Sequence, residues 1–198
     1  MRTAIITREW PPEIYGGAGV HVAELVNSLR SLIDVDVFCM GAPRSDAFAV
    51  ELAKTTANPA LDVVAADVQL ANAAALSQPD VVHSHTWYAN LAGQLASRLA
   101  GVPHVVTAHS LEPRRPWKAD QLGGGYRLSS WIEAESYRSA DLVIAVSEGM
   151  RQDVLECYPF VDPDRVKVVH NGIDTSVFAP TFDDSILGKY GIDRHRPF

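Results

Sequence analysis

Short runs of β-branched and other apolar residues alternate along this chain with longer segments in which apolar residues recur at steps of three and four. A parallel sheet wrapped by crossover helices produces that alternation. Each strand is buried on both faces and reads as a continuous apolar run, while each helix needs only one apolar stripe. The runs predict strands over residues 3–7, 35–40, 61–66, 81–85, 104–109, 142–147 and 166–170. Helices are predicted over 17–32, 67–77, 88–100, 126–140 and 148–158, the first presenting Val22, Leu25, Val26, Leu29, Leu32 and Ile33 on one face. The fold class that follows is α/β, a doubly wound, Rossmann-like parallel sheet.

With 198 residues the chain is long enough for one core burying about 70% of the unfolded surface. A hydrophobic fraction of 47% against 21% charged residues excludes a disordered chain. Seventeen Lys and Arg stand against 24 Asp and Glu, a formal net charge of −7, which argues against nucleic-acid or anionic-membrane partners. Arg114, Arg115 and Lys118 form a local basic cluster too small to reverse that balance. Cys39 and Cys157 make neither a disulfide framework nor a CxxC pair, the start of the chain has too short an apolar run for a signal peptide, and no stretch approaches about 18 apolar residues. These features predict a cytoplasmic protein. Residues 1–172 read as one domain. Residues 173–198, with the Asn171-Gly172 turn before them, Pro180 as a breaker and polar residues from Thr181 onward, read as a linker.

Ligands of open α/β sheets sit outside the carboxyl ends of the strands, which selects a small set of residues. Gly16, Gly17 and Gly19 follow the first strand and precede a helix, where a backbone without Cβ atoms approaches a phosphate closely. The spacing is neither GxGxxG nor GxxxxGKS, so an ordinary glycine-rich turn reads equally well. His83 and His85 alternate on one strand and share a face, but no Asp, Glu or Cys is adjacent to complete a metal shell, and hydrogen bonding is the favoured role. His109, at a strand end, suits a hydrogen bond to a sugar hydroxyl, a backbone carbonyl or a buried polar group. Residues 110–125 hold two prolines and three consecutive glycines without periodicity and read as a long functional loop.

Glu133 and Glu135 fall on a predicted helix, where a solvated face is the default for one of them. Two residues apart on a helix they do not oppose each other across a cleft as glycosidase carboxylates do, which disfavours a hydrolase. Ser147 lacks a GxSxG context and reads as a helix N-cap with Glu148 in the first turn.

Taken together, YGGAGVHV, HSHTWYA, TAHS, WIEAESYRSADLVIAVSEGM and VVHNGIDTSVFAP, in that order, resemble the N-terminal half of a GT-B retaining glycosyltransferase of the family 4 type. The loop HSLEPRRPWKADQLGGGYRLSSWIE is similar to the bacterial glycogen synthase and α-maltose-1-phosphate synthase group, which uses ADP-glucose. The first loop reads Ile14-Tyr15-Gly16-Gly17-Ala18 without the lysine of strict glycogen synthases, which favours the broader group.

The resemblance implies that Gly16 and Gly17 contact the donor diphosphate through backbone amides and that His109 lies beside the donor sugar or reaction centre as the catalytic residue. It implies an acceptor side formed by Tyr15, His21, His85, Trp87, Arg114, Trp117 and Lys118. The acceptor would be an α-glucan or glucose 1-phosphate, with no metal and no cofactor. It also implies a second, nucleotide-holding domain beyond the linker, with Arg196-Pro197-Phe198 leading into its first strand, so that residues 1–198 alone would transfer little. Two other classes remain open: a sugar- or nucleotide-binding module without catalysis, and a metal-dependent hydrolase using His83, His85 and His109.

Overall fold

The computed structural model describes residues 1–54, 58–180 and 185–193. Its strands are β1 (Arg2–Thr7), β2 (Asp34–Met40), β3 (Phe48–Val50), β4 (Val81–His85), β5 (His104–Ala108), β6 (Leu142–Ala145) and β7 (Val166–Val168). All pair in parallel, in the order β3-β2-β1-β4-β5-β6-β7. The helices are α1 (Gly17–Leu29), α2 (Pro59–Leu76), α3 (Trp87–Ala100), α4 (Lys118–Leu122), α5 (Gly124–Ser139), α6 (Glu148–Cys157) and α7 (Ser185–Lys189).

Strand alternation divides the core between the two faces of the sheet. Ala4, Ile6, Phe38 and Val82 point to one face and pack with α2 and α3, and farther along that face Val106, Val143 and Ala145 meet Val154 of α6. Ile5, Val37 and Cys39 point to the other face, against Val22 and Val26 of α1. At the contact of α3 with the sheet only glycine fits: a Cβ on Gly93 would collide with His104 Nε2 and stand 2.7 Å from Ser84 Cβ. Right-handed crossovers account for the layering, because the chain moves one way across the sheet through α1 and the other way through α2, α3, α5 and α6.

The doubly wound class holds, with two local differences. Residues 61–66 belong to α2 rather than to a strand. Asn58 accepts the Ala60 N–H at 3.0 Å, Pro59 occupies the first turn, and the buried positions Val63, Ala66, Asp67, Leu70, Ala71 and Ala74 recur at helical steps. The strand in its place is the edge strand β3, too short to leave a periodic signal. The predicted loop over 110–125 carries a 3-10 turn, Glu112–Arg114, and α4, and α5 already begins within it. In the predicted linker, residues 173–180 are exposed and α7 follows, while 181–184 and 194–198, including Arg196-Pro197-Phe198, lie outside the described residues. No helix among the described residues is long and apolar enough to cross a membrane.

Candidate functional site

β1 and β4 are neighbours, yet the chain leaves β1 toward β2 and β4 toward β5, so their carboxyl-end loops part and leave a crevice. A cleft of about 490 Å³ occupies it, lined from the β1 loop by Glu9 and residues 15–18, from β4 by residues 86–88, and from β5 by His109 and Ser110. Lys118, Arg115 and Glu133 close one side, and Asn171 stands at the far end.

The glycine loop is organised by Glu9, a buried carboxylate whose Oε2 accepts the N–H of Tyr15 at 2.9 Å and of Gly16 at 2.8 Å. Gly16 is the extended N-cap of α1, and no side chain caps the helix start, so the first N–H groups of α1 open onto the cleft. A Cβ on Gly17 would meet nothing within 4 Å, whereas one on Gly19 would stand 2.7 Å from Glu9 Cβ and Oε2. Gly19 therefore fixes the loop, and Gly17 keeps the cleft wall low. Beside the loop, the Arg8 guanidinium lies 4.1 Å from the Tyr88 ring centroid and 5.7 Å from that of Tyr15.

Strand register gathers four histidines on the α1 side of the sheet. The rings of His83 and His85 are 4.3 Å apart, as their shared face predicts, and His83 Nε2 sits 2.7 Å from Thr107 Oγ1. His85 Nδ1 lies 3.1 Å from His109 Nε2, and His21 of α1 stacks edge-on to His109 at 5.0 Å. Burial, then the neighbouring imidazoles, holds His83 down at about 3 and His109 at about 4, and keeps His85 well below the ordinary range; burial alone lowers His21. At neutral pH these rings are uncharged, each with one donor and one acceptor nitrogen. Thr86, between β4 and α3, has φ 65°, a strained conformation for a β-branched residue, and it lines the cleft.

The third part comes from residues 112–133. Glu112 is buried at 1% exposure, with its Oε1 3.6 Å from Lys118 Nζ and 3.8 Å from Arg115 Nη1. Ser129 Oγ donates to its Oε2 at 2.7 Å. Glu133, also buried, accepts the Glu112 N–H on Oε1 at 2.8 Å and the Tyr158 hydroxyl on the same oxygen. Burial dominates over these hydrogen bonds and pushes the Glu133 carboxyl up to about 7. Of the two glutamates weighed above, Glu135 remains at the surface with Arg138, while Glu133 is part of the cleft wall. Ser147 caps α6 by accepting the Met150 N–H at 3.0 Å.

Of the residues singled out from sequence, Tyr15, Gly16, Gly17, Trp87, His109 and Lys118 line one cleft. His85 lies buried behind His109, and His21 lines a neighbouring groove with His170. Arg114 and Trp117 stand outside the cleft: Arg114 binds Asp153 Oδ1 at 2.8 Å and Glu156 on the surface, and Trp117 is exposed. The turn at 112–114 buries Glu112 and sends Arg114 outward to α6. Arg115 takes the inward position. Glu9, Tyr88, Thr86, Arg115 and Glu133 are cleft residues that sequence reasoning missed. Only Glu133 left a signal, since 129, 132, 133, 136 and 137 are buried positions at helical steps.

The family model for Glycosyltransferase Family 4 matches residues 15–177. An α-maltose-1-phosphate synthase from Mycolicibacterium smegmatis is 60% identical over all of this chain and 52% of its own length, and one from Mycobacterium tuberculosis is 55% identical over the same shares. The chain thus spans about half the length of these curated relatives. Among solved structures, a sucrose-phosphate synthase from Thermosynechococcus elongatus superposes with a TM-score of 0.70 at 16% identity, over 99% of this chain and 54% of that one, a likeness of fold. The match of one family model from the glycine loop to the segment after β7 makes the chain a member of Glycosyltransferase Family 4.

Proposed function

We propose that this chain is the acceptor-side half of a retaining hexosyltransferase that moves glucose from ADP-glucose to a sugar-phosphate or α-glucan acceptor, in the manner of an α-maltose-1-phosphate synthase serving glycogen biosynthesis. The observation that carries the reading is one wall of the cleft, where Lys118 and Arg115 stand 3.6 and 3.8 Å from the buried Glu112 and where Glu133 beside them has its pKa raised to about 7. Two cationic side chains on one wall suit the phosphate of glucose 1-phosphate. Names of the relatives at 55–60% identity support the same acceptor.

In this reading the open N–H groups at Gly17 face the donor diphosphate, and His109 holds the transferred sugar by a hydrogen bond. The bond from the anomeric carbon to the diphosphate breaks, the acceptor hydroxyl bonds to that carbon from the same face, and its proton passes to the departing phosphate oxygen. The cleft contributes alignment of two substrates and exclusion of water. A second Rossmann-like domain, beyond the linker at 173–198, would hold the nucleotide and neutralise the leaving diphosphate, and closure of the two halves would complete the site. The protein needs no metal in this scheme and acts in the cytoplasm.

The test is incubation of the full-length protein with ADP-glucose and glucose 1-phosphate, with the product analysed by mass spectrometry. A disaccharide phosphate of retained α configuration is expected. Binding of either substrate without any transfer by the full-length protein would replace this reading with that of a sugar-binding module.

A further inference from the structure

Three imidazoles from three different elements meet at the edge of the cleft. His21 comes from the N-terminal part of α1, His85 is the last residue of β4, and His109 follows β5 directly. One ring nitrogen of each lies within 4.8 Å of the other two. Tetrahedral coordination at a metal–nitrogen distance of about 2.0–2.1 Å places ligand nitrogens roughly 3.4 Å apart. The His85 Nδ1 to His109 Nε2 distance of 3.1 Å is already near that spacing, and the nitrogen of the half-buried His21 lies within 4.8 Å of both partners' ligand atoms.

We propose that His21, His85 and His109 form a binding site for a divalent transition cation of the zinc class, and that its occupancy blocks the cleft. The ligand set decides the class of ion. Three imidazoles without a carboxylate suit Zn²⁺, Co²⁺, Ni²⁺ or Cu²⁺ and offer nothing to Mg²⁺ or Ca²⁺, which take oxygen ligands. His21 and His109 are both partly exposed, which gives the ion a path in from solvent. Among the described residues no carboxylate is seen hydrogen-bonding any of the three rings, so the orientation that such partners supply is missing and the affinity is roughly 10–100-fold lower than with them. His109 lines the cleft beside Ser110 and Gly17. An ion on its ring withdraws that nitrogen from hydrogen bonding and adds two positive charges where the transferred sugar would sit. This inhibitory consequence rests on the transferase reading; the binding itself does not.

The probe is Co²⁺, whose visible absorption intensifies in a tetrahedral nitrogen site, titrated into the 198-residue chain and then displaced by Zn²⁺. One equivalent is expected to bind, unaffected by millimolar Mg²⁺. His21→Ala and His109→Ala, both at partly exposed positions, are expected to weaken binding at least tenfold with unchanged circular dichroism, while His170→Ala, in the neighbouring groove, leaves it unchanged. No absorption band at millimolar Co²⁺, or equal binding by His21→Ala and His109→Ala, would overturn the site. In the full-length transferase, Zn²⁺ is expected to stop glucosyl transfer and a chelator to restore it. Stoichiometric binding with transfer undiminished would overturn the blocking role, whereas absence of transfer in metal-free protein bears on the function proposed above instead.

Discussion

Oε2 of Glu9 holds the backbone N–H of Gly16 at 2.8 Å, and the same oxygen would stand 2.7 Å from a Cβ placed on Gly19. The glycines of this loop therefore do different work. Gly19→Ala must push the Glu9 carboxylate aside and is expected to cost about 1–3 kcal/mol of stability by denaturant titration. Gly17→Ala meets nothing in the fold and is expected to leave stability within about 0.5 kcal/mol. It raises a methyl group at the uncapped start of α1, and is expected to weaken ADP-glucose binding by the full-length protein at least tenfold. Equal stability losses for both variants would contradict this division of roles.

Burial of histidines governs the acid limb of stability. His83, His85, His104 and His109 are held far below their ordinary pKa of 6.5, and His21 is lowered too, so they are neutral in the fold and charged once the chain unfolds below that value. Unfolding then takes up protons, and stability is lost as pH falls from 6.5 toward the folded values near 4 and 3. Glu133 and Asp67 act oppositely, because their raised values make the fold the proton-rich state above the ordinary carboxylate range. The five imidazoles outweigh the two carboxyls, leaving a net uptake of about two to three protons at pH 5.5. The check is the pH dependence of the urea midpoint between pH 5 and 7, which should rise steeply; a flat profile would rule out neutral buried histidines.

Glu133 supplies a separate signature at higher pH. Its carboxyl titrates near 4.5 in the unfolded chain and about 7 in the fold, so its contribution is fully present below 4.5 and is lost as pH rises through 7. Glu133→Gln keeps an oxygen that accepts the Glu112 N–H and the Tyr158 hydroxyl but does not ionise. Relative to the parent, this variant is expected to gain about 3 kcal/mol between pH 4.5 and 8. A constant difference across that range would refute the raised value.

Asp67 is fully buried on α2, and neither carboxylate oxygen has a hydrogen-bond partner among the described residues. Burial raises its pKa well above the ordinary value, so the fold carries it neutral. Asp67→Asn has the same shape and no ionisation to suppress. It is expected to stabilise the protein by about 1–3 kcal/mol at pH 8, with the gain shrinking toward pH 4. Thermal melts of both proteins at the two pH values read the effect directly.

How far the residues disclosed this molecule depends on whether a period was present to be read. Runs such as those at residues 3–7 and 81–85 lie on central strands buried on both faces, and they announced the sheet. Residues 61–66 are just as apolar, but a short apolar run fits a buried helix as well as a strand, and Asn58 and Pro59 tip it to helix through capping. The end of β4 and the glycine loop were legible as a site because the topology of doubly wound sheets places ligands there. Glu133 was legible only by counting helical steps from Ser129 and Ile132. Arg115 was not, since a loop without periodicity carries no record of which of two adjacent arginines turns inward.

Lys118 and Arg114, from the same segment, give a sharp test of the proposed acceptor site. Lys118 lies 3.6 Å from the buried Glu112 and lines the cleft, whereas Arg114, four residues earlier, points away to Asp153 and Glu156 on α6. Both carry one positive charge in the same loop, so a general electrostatic attraction for a phosphorylated acceptor would weaken equally on losing either. A direct contact would not. In the full-length protein Lys118→Ala is expected to raise KM for glucose 1-phosphate at least tenfold, about 1.4 kcal/mol of binding, while KM for ADP-glucose changes little. Arg114→Ala is expected to leave both within about twofold, because exposed ion pairs contribute little. Lys118→Arg, which keeps the charge but changes the reach, separates contact from field: partial recovery of KM speaks for contact, full recovery for field. A Lys118→Ala enzyme with unchanged KM would remove the phosphate from this side of the cleft and leave the glucan as the acceptor.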